Sequence, residues 1–235
     1  MSPANTYLGF IPARAGSVRV SRKNVRPFAD VNLVEIAVTA ACAAQRLHGV
    51  VVSTDSSEIL ECSQSAGYDG TYLRPPELAG AESAVADCVQ HYLEWSNNAG
   101  GASVSHIVLL QPTSPFRSAQ HIDQAIESME AAGKNSLVSV TSIAPRPELY
   151  LRRDRKTGVL RQGSQEDRSD VYALDGEIYV SPISMIRGQG RFWDSESALF
   201  VSERPRYFDI DSETDFAVAE TLYVRGQGSA LGFVI

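Results

Sequence analysis

Cysteine is scarce in this chain: three among 235 residues, Cys42, Cys62 and Cys88. An odd count, with the two later residues in segments that read as helices, argues against a disulfide framework and for a reducing compartment, so a cytoplasmic location is expected. Long apolar runs are missing as well. None approaches the roughly 18 to 20 residues that span a bilayer, and Met1 to Thr6 lacks the basic and apolar regions of a secretory leader. Positive charge is in deficit, with 21 Lys and Arg against 28 Asp and Glu and a formal charge of -7. General nucleic-acid binding, which depends on cationic contacts to phosphates, is disfavoured. The four histidines show no metal-ligand spacing, and His91 and His121 fall on helix faces. Internal repeats and low-complexity tracts are absent.

What is present is a chain that can bury a core: 43% of residues are hydrophobic, enough for one α/β domain or a core with a small appendage. Apolar strands alternate with helical periodicity. After Tyr7 to Phe10, the spacing predicts a helix over Leu33 to Arg46, a strand over Val50 to Ser53 and a helix begun by Asp55 and Glu58 and ended by Gly67. A helix over Ser83 to Trp95, a strand over Ile107 to Leu110, and a helix over Ser118 to Ala132 closed by Gly133 follow. Alternation of this kind favours a largely parallel α/β sheet covered by helices, with ligands at the carboxyl ends of its strands.

From about 145 to 190 the composition shifts to Arg, Asp, Gly and Pro, with one clear strand, Glu177 to Ser181. The segment reads as an inserted lid or subunit contact, or as a surface excursion. The core is expected to resume near Tyr207 to Asp211 and to end in a helix over Thr214 to Val224.

Charge is not spread evenly. Arg14, Arg19, Arg22, Lys23 and Arg26 put five of the 21 cations into one loop after the first strand, which points to a local anion site within a negative field. A turn through Gly16 and Ser17 can aim backbone N–H groups at phosphate while Arg14 and Lys23 neutralise it. A solvated basic loop is the alternative. There is no Gly-Lys-Ser/Thr and no second glycine for a dinucleotide fingerprint, so neither a P-loop nor a Rossmann dehydrogenase is supported.

Two further motifs carry chemistry. Asp209 and Asp211 flank Ile210, and in an extended segment the two carboxylates share a face while Ile210 turns inward. Such a pair suits a hard cation such as Mg²⁺; a pair of solvated acids, with Asp211 or Ser212 capping the last helix, is the alternative. Gln111 to Arg117 leaves a buried strand, placing Gln111, Thr113 and Ser114 where a substrate would lie, with Pro112 and Pro115 fixing the turn and Ser118 capping the next helix. The same stretch could be a plain rigid turn.

Together these motifs resemble the acylneuraminate cytidylyltransferase family, the CMP-sialic acid synthetases. The resemblance rests on Ile11-Pro12-Ala13-Arg14-x-Gly16-Ser17, Arg22-Lys23-Asn24, Leu109 to Arg117 and Asp209-Ile210-Asp211. Weaker matches are Ser53-Thr54-Asp55, Arg74 to Ala79 and Gly176 to Val180, and all occur in the family's order over nearly the whole chain. It implies a doubly wound, mostly parallel nucleotidyltransferase core with helices on both faces and a small dimerisation arm, a homodimer, and Mg²⁺-dependent transfer of CMP from CTP to a sugar-acid hydroxyl. It assigns catalytic roles to Arg14, Lys23 and Asp211 and metal ligation to Asp209 and Asp211. Nucleotide contacts fall to Arg14, Ala15, Gly16, Ser17, Lys23, Asn24, Arg74 and Ser83, and acceptor contacts to Gln111, Thr113, Ser114, Arg168, Asp175 and Tyr179.

The chain also departs from the family. Val18 and Ser21 stand where the loop carries lysine and proline, and Arg19 is the neighbour that could substitute for the lysine. Asp175 replaces an asparagine, and Gln165 falls where an arginine recognises the acceptor's carboxylate, a role open to Arg168 or Arg161. The aspartate expected after Leu78-Ala79 is absent from Gly80-Ala81-Glu82-Ser83. These changes leave two alternatives: transfer to a different acid, such as another nonulosonate or a phosphonate, or a non-catalytic nucleotide-binding homologue.

Overall fold

The computed structural model describes residues 5–101, 103–142, 151–153, 156–157, 160–162, 171–202 and 208–227. Tyr7–Pro12 forms the inner strand β1. Its alternation divides the core: Tyr7 and Ile11 face one side, Leu8 and Phe10 the other. β1 is followed by a long loop and helix α1, Leu33–Ala43, whose start is fixed by a capping box between Asn32 and Glu35, worth about 1 kcal/mol. Strand β2, Gly49–Ser53, then pairs parallel to β1. Helix α2, Ser57–Ser65, is capped by Ser56, whose hydroxyl accepts from Ile59 N, and not by the expected Asp55.

Helix α3, Val85–Asn98, crosses to the other side of β1 and delivers strand β3, His106–Leu109, parallel to it. Helix α4, Ala119–Ala131, follows, capped by Ser118 as expected, and leads to β4, Leu137–Ser142. The chain thus winds outward from β1 in both directions, making the gap between the ends of β1 and β3 the topological switch point.

Beyond β4 the structure departs from the sequence pattern. Short strands β5, Leu151–Arg153, and β6, Leu160–Gln162, pair antiparallel in their own two-stranded sheet. Strand β7, Tyr172–Pro182, is longer than the expected Glu177 to Ser181 and belongs to the main sheet, antiparallel between β3 and β4. Helix α5, Ile183–Gln189, and strand β8, Ala198–Val201, also belong to the core. The expected arm over 145–190 is corrected at its C-terminal end, because β7 and α5 build the sheet layer instead of projecting from it. The main sheet runs β2-β1-β3-β7-β4-β8, parallel except for β7.

Both faces are covered. The buried side chains of α1, α4 and Ile59 of α2 pack on one face, those of α3 and α5 on the other. Helix α6, Glu213–Gln227, forms a third cluster in which Phe28 meets Phe216 and Tyr223 edge-on, with Val20, Phe116 and Ile210 beside them. That cluster anchors the far half of the loop after β1, leaving its near half to face outward. All three cysteines are free, and no helix among the described residues is long and apolar enough to cross a membrane.

Candidate functional site

At the switch point lies a cavity of about 160 Å³, lined by Arg14, Ser17, Val18, Arg19, Lys23, Asn24, Gln111 and Thr113 among others. Two motifs far apart in sequence meet here because β1 and β3 are neighbours and both end at this edge. The expected ligand position at the carboxyl ends of the strands is therefore where the cavity is found.

The loop is held from three sides. Ala15 N donates to Asp55 Oδ1 at 2.9 Å, Asn24 Nδ2 to the Arg14 carbonyl at 2.9 Å, and Arg14 Nη1 to the Gly80 carbonyl at 2.7 Å. Asp55, read from sequence as a helix cap, instead fastens the loop, with buried Arg74 Nη2 3.9 Å behind it. Arg22 adopts φ +53° at the loop's tip, and its carbonyl accepts from Val25 and Arg26 N–H in a tight turn.

The amides differ from expectation. Ala15 N is engaged by Asp55 and Ser17 N by the Ala15 carbonyl at 2.9 Å, so positive side chains rather than those two N–H groups face the cavity. Gly16 is exposed, and a Cβ there would meet nothing within 4 Å.

Lys23 is the hub. Its Nζ donates to the Ile210 carbonyl at 2.6 Å, and Asp211 and Asp209 are near enough to stabilise its charge. Burial nevertheless wins and pulls its pKa below the ordinary lysine value. Ile210 is buried, as its alternation with the two aspartates predicts, and its N–H donates to the Thr113 carbonyl at 3.1 Å. Asp209 is accessible yet walled by protein; loss of water raises its carboxyl, with a Thr113 hydroxyl bond opposing and the Asp211 charge reinforcing. Asp211 pairs with Arg19, Nη2 to Oδ1 2.9 Å. Ser212 and Asp215 cap α6, Asp215 N donating to Ser212 Oγ and Ser212 N to Asp215 Oδ2.

Could this site hold the implied Mg²⁺? The described residues contain no cluster of three or more His, Cys, Asp or Glu side chains. Mg²⁺ needs no such cage, since it keeps waters and binds through one or two carboxylates plus phosphate oxygens. Two mutually repelling carboxylates beside a cationic cavity fit that requirement.

Opposite the loop, Gln111 lines the cavity and lies over Gly176, which has φ +74° at the irregularity between β4 and β7. A Cβ at 176 would stand 3.1 Å from Gln111 Nε2. Tyr179 is half-buried beside Asp175 and Asp209, its phenol pushed up to about 12 chiefly by burial.

Several expected contacts are not in the cavity. Ser114 is buried at 3% exposure, and Asp175 at 2% accepts from Ser139 Oγ and from Glu177 N at 3.0 Å. Asp175 therefore orders β7, a correction to its reading as an acceptor contact. Arg74 is buried too, donating to Cys88 Sγ at 3.1 Å, and Ser83 bonds the Glu77 carbonyl on the segment that receives Arg14. Arg168 and Gln165 lie outside the described residues, as does the side chain of Arg161.

Sequence reading missed Arg117. Its Nη1 donates to the carbonyls of Gln111 at 3.0 Å and Glu177 at 2.8 Å, tying the end of β3 to β7. Arginine closing an otherwise uncharged strand-to-helix turn was the available signal.

With this geometry, comparison is informative. A family model described as cytidylyltransferase matches residues 8–224. The chain is 31% identical to a CMP-N,N'-diacetyllegionaminic acid synthase of Legionella pneumophila, over 92% of this chain and 95% of the relative. It is 27% identical to an N-acylneuraminate cytidylyltransferase of Escherichia coli over 92% of this chain, but spans only 51% of that relative. Among solved structures, CMP:2-keto-3-deoxy-manno-octonic acid synthetase complexed with CTP matches with a TM-score of 0.69 and 11% identity, covering 94% of this chain and 100% of the other, a likeness of fold.

Proposed function

Because the chain belongs to the cytidylyltransferase family, among relatives that form CMP-nonulosonates, we propose that it joins CMP from CTP to the hydroxyl of a nonulosonic acid and releases pyrophosphate. The observation that carries this reading is the single cavity in which Arg14, Ser17 and Lys23 meet Gln111 and Thr113, with Asp209 and Asp211 joined to it through Lys23 and Thr113.

The chemistry follows from charge placement. Arg14 and Lys23 neutralise the triphosphate, with Ser17 offering a hydroxyl, and Gln111 orients the acid against the α-phosphorus. The acceptor's oxygen forms the new P–O bond, the bond to the bridging β-phosphate oxygen breaks, and the hydroxyl's proton is lost to solvent or a carboxylate. Lys23 stays close to the charge that develops on the leaving pyrophosphate, which is where preorganised cations accelerate phosphoryl chemistry. Asp209 and Asp211 would hold Mg²⁺, which when bound adds positive charge to the triphosphate and acidifies the attacking hydroxyl.

The remaining assignments rest on fewer observations. Exposed Val171, Tyr172, Leu174, Leu199 and Val201 leave apolar surface at the β7 and β8 end of the sheet, which supports a homodimer to which the 145–190 segment contributes. The 235 residues form a single nucleotidyltransferase domain. Free cysteines suit the cytoplasm, and the negative net charge suits a protein without nucleic-acid or membrane partners. With Gln165 where the family carries an arginine, the acceptor's carboxylate falls to Arg168 or Arg161, and only if neither takes it is the acceptor other than an ordinary sialic acid.

The test is pyrophosphate release with each of the four nucleoside triphosphates, Mg²⁺, and legionaminic, pseudaminic and N-acetylneuraminic acids alongside phosphonates. Release with CTP and a nonulosonic acid is expected. Silence with every acceptor, together with no CTP binding by calorimetry, would overturn the enzymatic reading in favour of a non-catalytic homologue.

A further inference from the structure

Position 18 of the loop is valine, 81% exposed, with no charge to offer a phosphate. The next residue, Arg19, lines the cavity with Arg14 and Lys23, yet its guanidinium is turned onto Asp211 at 2.9 Å. Both partners are open to solvent, with side-chain exposures of 69% and 48%. An exposed pair of this kind contributes about 0 to 1 kcal/mol, so releasing it costs little.

We propose that Arg19 is a resident cation of the carboxylate pair: it holds Asp211 until a divalent metal takes that carboxylate, and then meets the triphosphate in place of the charge that Val18 lacks. This rests on the metal reading of Asp209 and Asp211 given above.

The physical argument is competition. A guanidinium and a dication repel each other on one carboxylate, and the solvent exposure of Asp211 lets the weaker ligand leave. Arginine is also suited to the second position, since its planar fork matches two phosphate oxygens and its charge persists at any working pH. If one side chain serves both sites, metal and CTP must favour each other's binding, because whatever moves Arg19 off Asp211 supplies a cation to the phosphates.

Mn²⁺ binding is measured by electron paramagnetic resonance, with and without CTP, and CTP binding by calorimetry in EDTA, for the natural protein, Arg19→Gln, Arg19→Lys and Asp211→Asn. Without nucleotide, Arg19→Gln should bind Mn²⁺ about 2- to 5-fold tighter than the natural protein, a change matching the loss of one weak competing pair. Arg19→Lys, which keeps the charge, should behave like the natural protein. Asp211→Asn, which frees Arg19, should bind CTP more tightly in EDTA. Equal Mn²⁺ affinity in the natural protein and Arg19→Gln overturns the proposal and leaves the metal reading standing. Mn²⁺ held by neither protein, even with CTP, removes the metal reading and the proposal with it.

Discussion

Lys23 and Ile210 are joined by a 2.6 Å hydrogen bond from ammonium to carbonyl. That bond places the only lysine of the cationic loop between the two aspartates that flank Ile210, and it couples the first strand's loop to the segment before α6. Two functional motifs are thereby kept in register by one side chain.

Lys23→Met should leave a folded protein, because Ile210 remains in the aromatic cluster with Phe28 and Phe216. Turnover should fall by about 10² to 10³ in kcat/KM, the usual loss when one preorganised charge donor is removed. Pyrophosphate release and far-ultraviolet circular dichroism measured together check this. An unchanged kcat/KM would remove Lys23 from the triphosphate site.

Gly176→Ala addresses the acceptor side. The substitution forces a Cβ into φ +74°, costing about 1 to 2 kcal/mol, and crowds Gln111 Nε2 at 3.1 Å. KM for the acid should rise several-fold while KM for CTP stays constant. Equal changes in both constants would mean that Gln111 does not face the acceptor.

The alternation of strands and helices through Leu137 was legible because each element carries its own apolar period, with α1 and α4 also closed by capping boxes. β7 was not. Asp175, Gly176 and Glu177 interrupt its apolar pattern, and they are tolerated inside the sheet only because Ser139, Ser202, His121 and Arg117 come from elsewhere to meet them. Partners that distant leave no local signal. The site was legible as three motifs, since loops at strand ends keep their chemistry in short runs. The pairing of Arg19 with Asp211 and the anchoring of Ala15 by Asp55 were not, because they depend on which loops the sheet order brings together.

Arg117 offers a test of that buried network. It is 4% exposed, its Nε and Nη2 are buried without a hydrogen-bond partner among the described residues, and burial pulls its pKa down to about 10 against the opposing Glu177 charge. Arg117→Met should destabilise the protein by about 1 to 3 kcal/mol, since the buried carbonyls of Gln111 and Glu177 lose their donor and the nearby Glu177 carboxylate loses a favourable charge. Adding Glu177→Gln should restore part of that loss. A urea double-mutant cycle measures it, and strict additivity would show that the two side-chain charges do not interact.

The last prediction concerns pH. Tyr7, 1% exposed in the core, donates its hydroxyl to Glu130 Oε1 at 2.7 Å, and Arg46 pairs with the same carboxylate. The tyrosine bond, ahead of Arg46, holds the Glu130 carboxyl below the ordinary range, while burial and that same bond push Tyr7 up to about 12. A depressed carboxyl stabilises above its unfolded pKa, about 4.3, and that contribution disappears as pH falls through the folded value. A raised phenol stabilises below about 10 and loses its contribution as pH rises through about 12. Tyr7→Phe should therefore cost about 1 kcal/mol or less at pH 7, the carboxylate being partly solvated. The difference should shrink as pH falls below about 4, where protonation of Glu130 weakens the bond in the natural protein. Urea unfolding at pH 7 and pH 3 checks this: a gap that is the same at both would show that the contribution of the Tyr7 hydroxyl does not depend on the charge of Glu130.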